Sequence, residues 1–173
     1  DLNILTINSE NINEGRHYRP THYFILKKIF YELKSWLKIE EAFIIDYGSG
    51  LGRIILFGLN QGVAHAVGIE FAKELCDLCE QNINNSTNKD NYNIINIDAI
   101  DYELDSNINI IFLFQPFSES IFIKVLDNIV KSQNILFIIT IFDRYSNLLI
   151  KNGFCRLSEY KLNSRTEYVI WRN

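Results

Sequence analysis

The residue string most able to do chemistry runs from Asp46 to Arg53 and reads Asp-Tyr-Gly-Ser-Gly-Leu-Gly-Arg. Glycines let a backbone turn sharply and approach a ligand, because no Cβ stands in the way. A carboxylate two residues before the first glycine suits a cationic amino group better than a pyrophosphate. The third glycine also comes one residue earlier than in the dinucleotide fingerprint, which would need it at Arg53. The string predicts a ligand-binding turn, and a plain strand-to-helix turn is the alternative.

Two more carboxylates are predicted to follow strands. Glu70 ends the second predicted strand, where such sheets offer a carboxylate to ribose hydroxyls. Asp98 ends the third, where a side chain could accept from an adenine amino group. The alternatives are a solvated strand-end residue for Glu70 and a cap of the next segment for Asp98. Because parallel strands present their carboxyl ends at one edge, we expect Asp46, Glu70 and Asp98 to share one crevice.

The elements that must position these residues follow from the alternation of apolar runs with amphipathic stretches, which predicts a parallel βα sheet. We predict an α/β fold: a doubly wound, mostly parallel seven-strand sheet with helices on both faces and a C-terminal antiparallel hairpin. Residues 1–20 are predicted to be a lead-in segment and residues 21–173 one domain, with Thr21 as the first helix N-cap. The predicted strands are 43–47, 64–70, 94–97, 108–114, 135–141, 154–162 and 167–171, and the predicted helices are about 21–37, 53–59, 72–84, 119–131 and a short one ending near 151.

Composition narrows the function classes. The 173 residues are 47% hydrophobic and 22% charged, which is typical of one globular domain. The net charge of -4 disfavours a protein that grips duplex nucleic acid through many phosphates. No apolar run reaches the roughly 18 to 20 residues of a membrane span, and no secretory signal is visible, so we expect no membrane partner.

Cys76 and Cys79 have C-x-x-C spacing, which could indicate a redox or metal pair. They also fall on an apolar helical stripe with Ala72 and Ile83, and buried cysteine behaves as a small hydrophobe. We therefore interpret both as structural, reduced thiols and expect no metal site. Reduced thiols favour a cytoplasmic location.

From Thr21 to Trp171 the pattern resembles the class I S-adenosylmethionine (SAM) dependent methyltransferases, whose seven-strand sheet ends in a reversed hairpin. The resemblance implies SAM as cofactor and methyl transfer as activity. It implies that Glu70 takes the ribose hydroxyls and that Phe71 packs on the adenine. The methionine part would lie against Asp46, Gly48, Ser49, Gly50, Gly52 and Arg53, and the adenine against Asp98 and the Ala99 backbone. Tyr18 to Thr21 could fold over the methionine end or form a surface lead-in.

The segment from Phe114 to Phe117 resembles the motif that many amino-directed methyltransferases carry after strand four. Those enzymes often have Asn or Asp, two prolines and an aromatic residue, whereas this chain has Gln115, Pro116 and Phe117. The likeness implies that Gln115 and the Pro116 carbonyl hold an acceptor amine beside Phe117.

The glycine turn with Val67 to Glu70 also resembles seven-strand protein-lysine methyltransferases, so we expect a protein amine before a small molecule, and RNA last. A catalytically silent SAM-binding scaffold and a nicotinamide-dependent oxidoreductase remain the alternatives.

Overall fold

A computed structural model describes residues 21–114 and 117–173. The predictions for residues 1–20, including Tyr18, and for Gln115 and Pro116 lie outside these described residues. The strands are β1 (Phe43–Tyr47), β2 (His65–Glu70), β3 (Tyr92–Asn96), β4 (Ile110–Leu113), β5 (Phe137–Ile141), β6 (Cys155–Leu162) and β7 (Arg165–Arg172). The helices are α1 (Tyr23–Leu33), α2 (Arg53–Gln61), α3 (Lys73–Ser86), α4 (Glu119–Ile129) and α5 (Ser146–Lys151), with a 3₁₀ turn at Ile39–Glu41.

The strands form one seven-stranded sheet in the order β3-β2-β1-β4-β5-β7-β6. The first five strands of the chain pair in parallel, and β7 runs antiparallel between β5 and β6. The strand order reverses between β1 and β4, and ligands of open α/β sheets bind at the carboxyl edge beside such a reversal.

Helices cover both faces of this sheet because neighbouring residues of each central strand point to opposite sides. Ile44 of β1 packs with residues of α1, α2 and α3, whereas Ile45 packs with residues of α4 and α5. Both isoleucines are fully buried, as a parallel strand covered on two faces should be. The predicted doubly wound arrangement with a terminal hairpin is confirmed.

The hairpin turns at Asn163 and Ser164, whose φ angles are 48° and 66°. Two successive left-handed residues characterise the tight turn that matches the twist of paired strands. Within β7, Trp171 is fully buried and its indole N–H donates to the Thr140 hydroxyl of β5 at 2.9 Å. The predicted turn position is confirmed.

The first helix is shorter at both ends than the predicted range of about 21–37. It begins at Tyr23, its N-cap residue is His22 and no side chain caps it, so Thr21 is not the N-cap. The helix ends at Leu33 because the chain tightens into i-to-i+3 bonds, such as Ser35 N to Glu32 O at 2.9 Å. The apolar periodicity of the sequence extends beyond Leu33 to Leu37, which still packs on the core, and this led to a predicted helix that is too long.

Candidate functional site

The glycine turn joins β1 to α2 at the carboxyl edge of the sheet. Gly48, Gly50 and Gly52 have φ angles of 76°, 52° and 80°, which residues with a Cβ adopt only at a cost. The amides of Gly48 and Ser49 both donate to the Ile69 carbonyl of β2, at 2.8 and 3.0 Å. The turn is therefore fastened to the neighbouring strand.

Cys79, Gly68 and Asn82 shape this turn through contacts that the sequence interpretation did not foresee. A Cβ on Gly52 would lie 2.4 Å from the Cys79 Sγ of α3, so that helix packs directly into the turn. A Cβ on Gly68 would lie 2.8 Å from the Ser49 Oγ. The Asn82 amide donates to the Leu51 carbonyl at 3.1 Å. A glycine inside a strand signals close approach, so Gly68 could have been found, whereas nothing local marks Asn82.

Asp46 is 3% exposed, and its Oδ1 has no hydrogen-bond partner among the described residues. Burial, and secondarily the Glu70 carboxylate, raises the pKa of Asp46 well above its usual value. The Ser49 hydroxyl is also buried without a partner there. Buried polar atoms without partners are rare and costly. A ligand that carries both an ammonium and a carboxylate could bond both side chains, because the ammonium can donate to Asp46 and the carboxylate can accept from Ser49. The methionine part of SAM has these two groups, so it fits this corner.

Glu70 is 4% exposed, and its carboxylate accepts hydrogen bonds from two backbone amides. Its Oε2 accepts from the Gly50 N–H and its Oε1 from the Ala72 N–H, both at 3.0 Å. Burial raises the pKa of Glu70, and these amides oppose the rise. A carboxylate has about four lone-pair sites, so sites for ribose hydroxyls remain. Glu70 thus organises the glycine turn, a task that the sequence interpretation did not foresee.

The residues predicted to hold the adenine follow β2 and β3. β3 ends at Asn96, so Asp98 lies two residues past the strand rather than ending it. The Asp98 Oδ1 accepts from the Ile100 N–H at 3.2 Å, which is the capping alternative. Ala99 is buried. Phe71 is half-buried, and its carbonyl accepts a hydrogen bond from the Asn96 side-chain amide at 2.9 Å. Their contact with an adenine stays a prediction.

Arg53 and Thr21 contact each other where α2 begins. The Arg53 Nη1 donates to the Thr21 carbonyl at 3.1 Å, and the guanidinium lies 4.9 Å from the centre of the Tyr23 ring. Thr21 is 6% exposed. Arg53 therefore fastens the start of α1 to the end of the glycine turn, and a role of either residue in cofactor binding stays a prediction.

On the other side of the strand reversal, Phe117 follows β4. Its ring lies edge-on to Tyr47 with centroids 6.4 Å apart, and its carbonyl accepts from the Tyr145 hydroxyl at 3.3 Å. Tyr47 is fully buried, and burial raises the pKa of its phenol. Phe117, beside which the acceptor amine is predicted to lie, therefore packs next to the strand that carries Asp46.

The rings of Phe114 and Phe142 pack together at the ends of β4 and β5, and the Arg165 guanidinium lies over Phe142. The two phenylalanine rings are 5.5 Å apart, and the Arg165 guanidinium lies 3.8 Å from the Phe142 ring centre. Phe142 has a φ of 56°, a strained value of the kind found at functional sites. The sequence interpretation missed Phe142 and Arg165, because nothing local indicates this contact.

Cys76 and Cys79 lie buried on the inner side of α3 and form no disulfide. Burial raises the pKa of Cys76 to about 11 and that of Cys79 to about 12, so both thiols are neutral near pH 7. Within residues 21–114 and 117–173, no group of three or more His, Cys, Asp or Glu residues is placed to hold a metal ion. No helix in those same ranges has the length and apolarity to cross a membrane.

The chain shares its fold with solved SAM-dependent methyltransferases. The chain superposes on an RNA methyltransferase from Salinibacter ruber in complex with S-adenosylhomocysteine with a TM-score of 0.68, at 19% identity over 89% of this chain and 92% of that one. For magnesium protoporphyrin IX methyltransferase from Synechocystis with bound SAM, the TM-score is 0.69, at 12% identity over 88% and 79%. For a SAM-dependent methyltransferase from Aquifex aeolicus it is 0.65, at 14% identity over 88% and 99%.

The chain belongs to the family described as conserved hypothetical protein 95, whose sequence model matches residues 9–151. No curated protein sequence matches it. The predicted resemblance to the class I methyltransferases is thus confirmed in the fold.

Proposed function

We propose that this protein is a SAM-dependent methyltransferase. The observation that carries the proposal is the buried Asp46 Oδ1, which has no hydrogen-bond partner within the described part of the chain and lies beside a turn of three left-handed glycines. The buried Ser49 hydroxyl, which also has no partner among the residues described, complements it, since an amino acid group needs both an acceptor and a donor. A nicotinamide cofactor would present a pyrophosphate to the turn, and a pyrophosphate has no ammonium group to donate to Asp46.

SAM supplies a methyl group already activated on a sulfonium, so the remaining work of the protein is binding and orientation. The glycine turn and Asp46 hold the methionine end, and Glu70 presents its free lone pairs to the ribose. Residues after β4 must hold the acceptor in line with the methyl group at near-attack distance. An amine must also be neutral to react, and a site shielded from water favours that form by lowering the amine pKa.

We propose an amino nitrogen as the acceptor, held by the Gln115 amide oxygen and the Pro116 carbonyl beside Phe117. A protein amine ranks first, a small molecule second and RNA third, because the net charge of -4 gives no overall excess of cations for phosphates. The Salinibacter neighbour is an RNA methyltransferase by name, which keeps RNA among the acceptors to be tested.

A catalytically silent SAM-binding scaffold is the second candidate, favoured by Gln115 and by the single proline of that motif. Calorimetry with SAM, S-adenosylhomocysteine and NAD tests the binding step. Saturable binding of the first two and none of NAD is expected, and binding of NAD alone would overturn the assignment. Formation of S-adenosylhomocysteine with cell extract as acceptor source separates enzyme from scaffold, and mass spectrometry of the methylated extract identifies the acceptor.

A further inference from the structure

The corner that holds Asp46 contains two buried acids, and no cation of residues 21–114 or 117–173 is paired with them. Asp46 is 3% exposed and Glu70 is 4% exposed, and they lie at the carboxyl ends of the adjacent strands β1 and β2. Glu70 has two backbone amides as donors, whereas Asp46 Oδ1 has none among the described residues. An ionised carboxylate buried without a donor is one of the least favourable groups in a protein interior.

Among the described residues, the charged and titratable groups on the surrounding elements do not offset the cost of an ionised Asp46. Glu70 on β2 carries the same sign, and Cys79 on α3 is a neutral thiol whose pKa is raised to about 12. Arg53 on α2 bonds the Thr21 carbonyl, and the Asp98 side chain caps the Ile100 amide. Burial first, and the Glu70 charge second, raise the Asp46 pKa well above its usual value.

We propose that Asp46 is a neutral carboxylic acid in the cofactor-free protein and that the ammonium group of SAM, on binding, drives its proton into solvent. The O–H bond of the acid breaks, the proton goes to buffer, and the resulting carboxylate accepts a charge-assisted hydrogen bond from the ammonium. This rests on the proposed function, since it assumes that the methionine end lies at this corner.

The sign of the linkage follows from mass action. Below the free-protein pKa of Asp46, each bound ligand releases up to one proton, so affinity rises as pH rises. Above that pKa the acid is already ionised, so release falls toward zero and affinity levels off. The α-amino group of the ligand must stay protonated throughout, which limits the useful range to about pH 8 and below.

Calorimetric titration with S-adenosylhomocysteine, which keeps the ammonium but lacks the sulfonium, measures the release directly. In phosphate and imidazole buffers at the same pH, the difference in observed heat should show proton release on binding, and the number of protons released per ligand should fall as the pH is raised stepwise toward about pH 8. Glu41→Gln, on an exposed side chain, should leave the count unchanged. Asp46→Asn should bring it near zero.

Infrared difference spectroscopy covers the case in which Asp46→Asn binds too weakly to titrate. Free wild-type protein should show the carbonyl stretch of a neutral carboxylic acid, lost on adding S-adenosylhomocysteine and missing from the free Asp46→Asn variant. Binding without proton release and without that band overturns this inference and leaves the proposed function standing. A band that persists in Asp46→Asn assigns the proton elsewhere and also overturns it. Failure of wild-type protein to bind either SAM or S-adenosylhomocysteine overturns both.

Discussion

The two sides of the carboxyl edge are held in different ways. On the β1–β2 side, backbone amides position the glycine turn, through Ile69 and Glu70. On the β4–β5 side, the described positions depend mainly on ring contacts, such as Phe117 on Tyr47 and Phe114 on Phe142. Directed hydrogen bonds tolerate little displacement, whereas ring contacts accept other rings and other angles. The first side therefore suits a constant ligand, and the second suits a variable one, as the proposed acceptor site there requires.

Gly52→Ala should have the largest effect, because the β1–β2 side leaves no room there. The residue has a φ of 80°, and its Cβ would lie 2.4 Å from Cys79 Sγ. Left-handed strain and overpacking together should cost about 3 kcal/mol or more, measured by urea denaturation. Gly62→Ala is the matched control, since Gly62 has a φ of 91° with nothing within 4 Å, and should cost about 1–2 kcal/mol. Equal losses would show that α3 does not pack into the turn.

Glu70→Ala should weaken SAM binding by about 1.5–3 kcal/mol, the usual range for a hydrogen bond to a charged group. It should also lower the free energy of unfolding, because the Gly50 and Ala72 amides lose their acceptor. Titration calorimetry and denaturation measure the two effects separately, with exposed Glu41→Ala as control. Lower stability with unchanged SAM affinity would restrict Glu70 to the turn.

Gln115→Ala tests the other side. We expect turnover to fall about tenfold, equivalent to about 1.4 kcal/mol of barrier, while SAM affinity stays nearly constant. A methylation assay with cell extract beside a SAM titration makes the comparison, with exposed Gln133→Ala as control. Loss of SAM binding in a folded variant would mean that the site is misplaced. No change in binding or rate would mean that the motif is only a tight turn, and would favour the silent scaffold.

Asp46→Asn should have a smaller effect on the cofactor-free protein, and it should stabilise the fold. Because folding raises the Asp46 pKa, the acid contributes stability that is complete below its unfolded pKa and is lost as pH rises through the folded pKa. The melting temperature of wild type should therefore fall relative to the variant as pH rises from about 4 toward neutrality. Asp127→Asn, on the exposed side of α4, is the control. A pH-independent difference would contradict the expectation.

Replacing Cys76 and Cys79 together with Ala should have the smallest effect on the cofactor, leaving SAM affinity within about twofold. Both thiols are neutral and buried, and neither is in a disulfide. Titration calorimetry of the double variant checks this. A stoichiometric metal ion in the purified wild-type protein would contradict the structural interpretation.

Periodicity was enough to predict the sheet and the two acids that matter most. Asp46 and Glu70 lie where the pattern put them, because each closes an apolar run that is buried on both faces. Boundaries failed where exposed and buried residues alternate irregularly, as in β3, where the strand begins two residues earlier than predicted and ends one residue earlier.

Contacts between distant residues could not be predicted from the sequence. Arg53 bonds Thr21 across 32 positions, and Cys79 contacts Gly52 only because α3 packs beside the turn. The left-handed Phe142 gives no sequence signal, since phenylalanine has no preference for that conformation. Packing alone decides such features.

The position of β7 has a consequence for biosynthesis. This strand follows β5 and β6 in the sequence, yet it lies between them in the sheet, with Tyr168 to Trp171 fully buried. While a nascent chain ends before residue 165, β5 has an edge without β7, and β6 lacks the one strand that it pairs with among the described residues. Such edges invite pairing with other chains. The ribosome must therefore release the hairpin before the sheet can close, so the interval in which the nascent chain is open to aggregation lasts almost until synthesis of this segment ends.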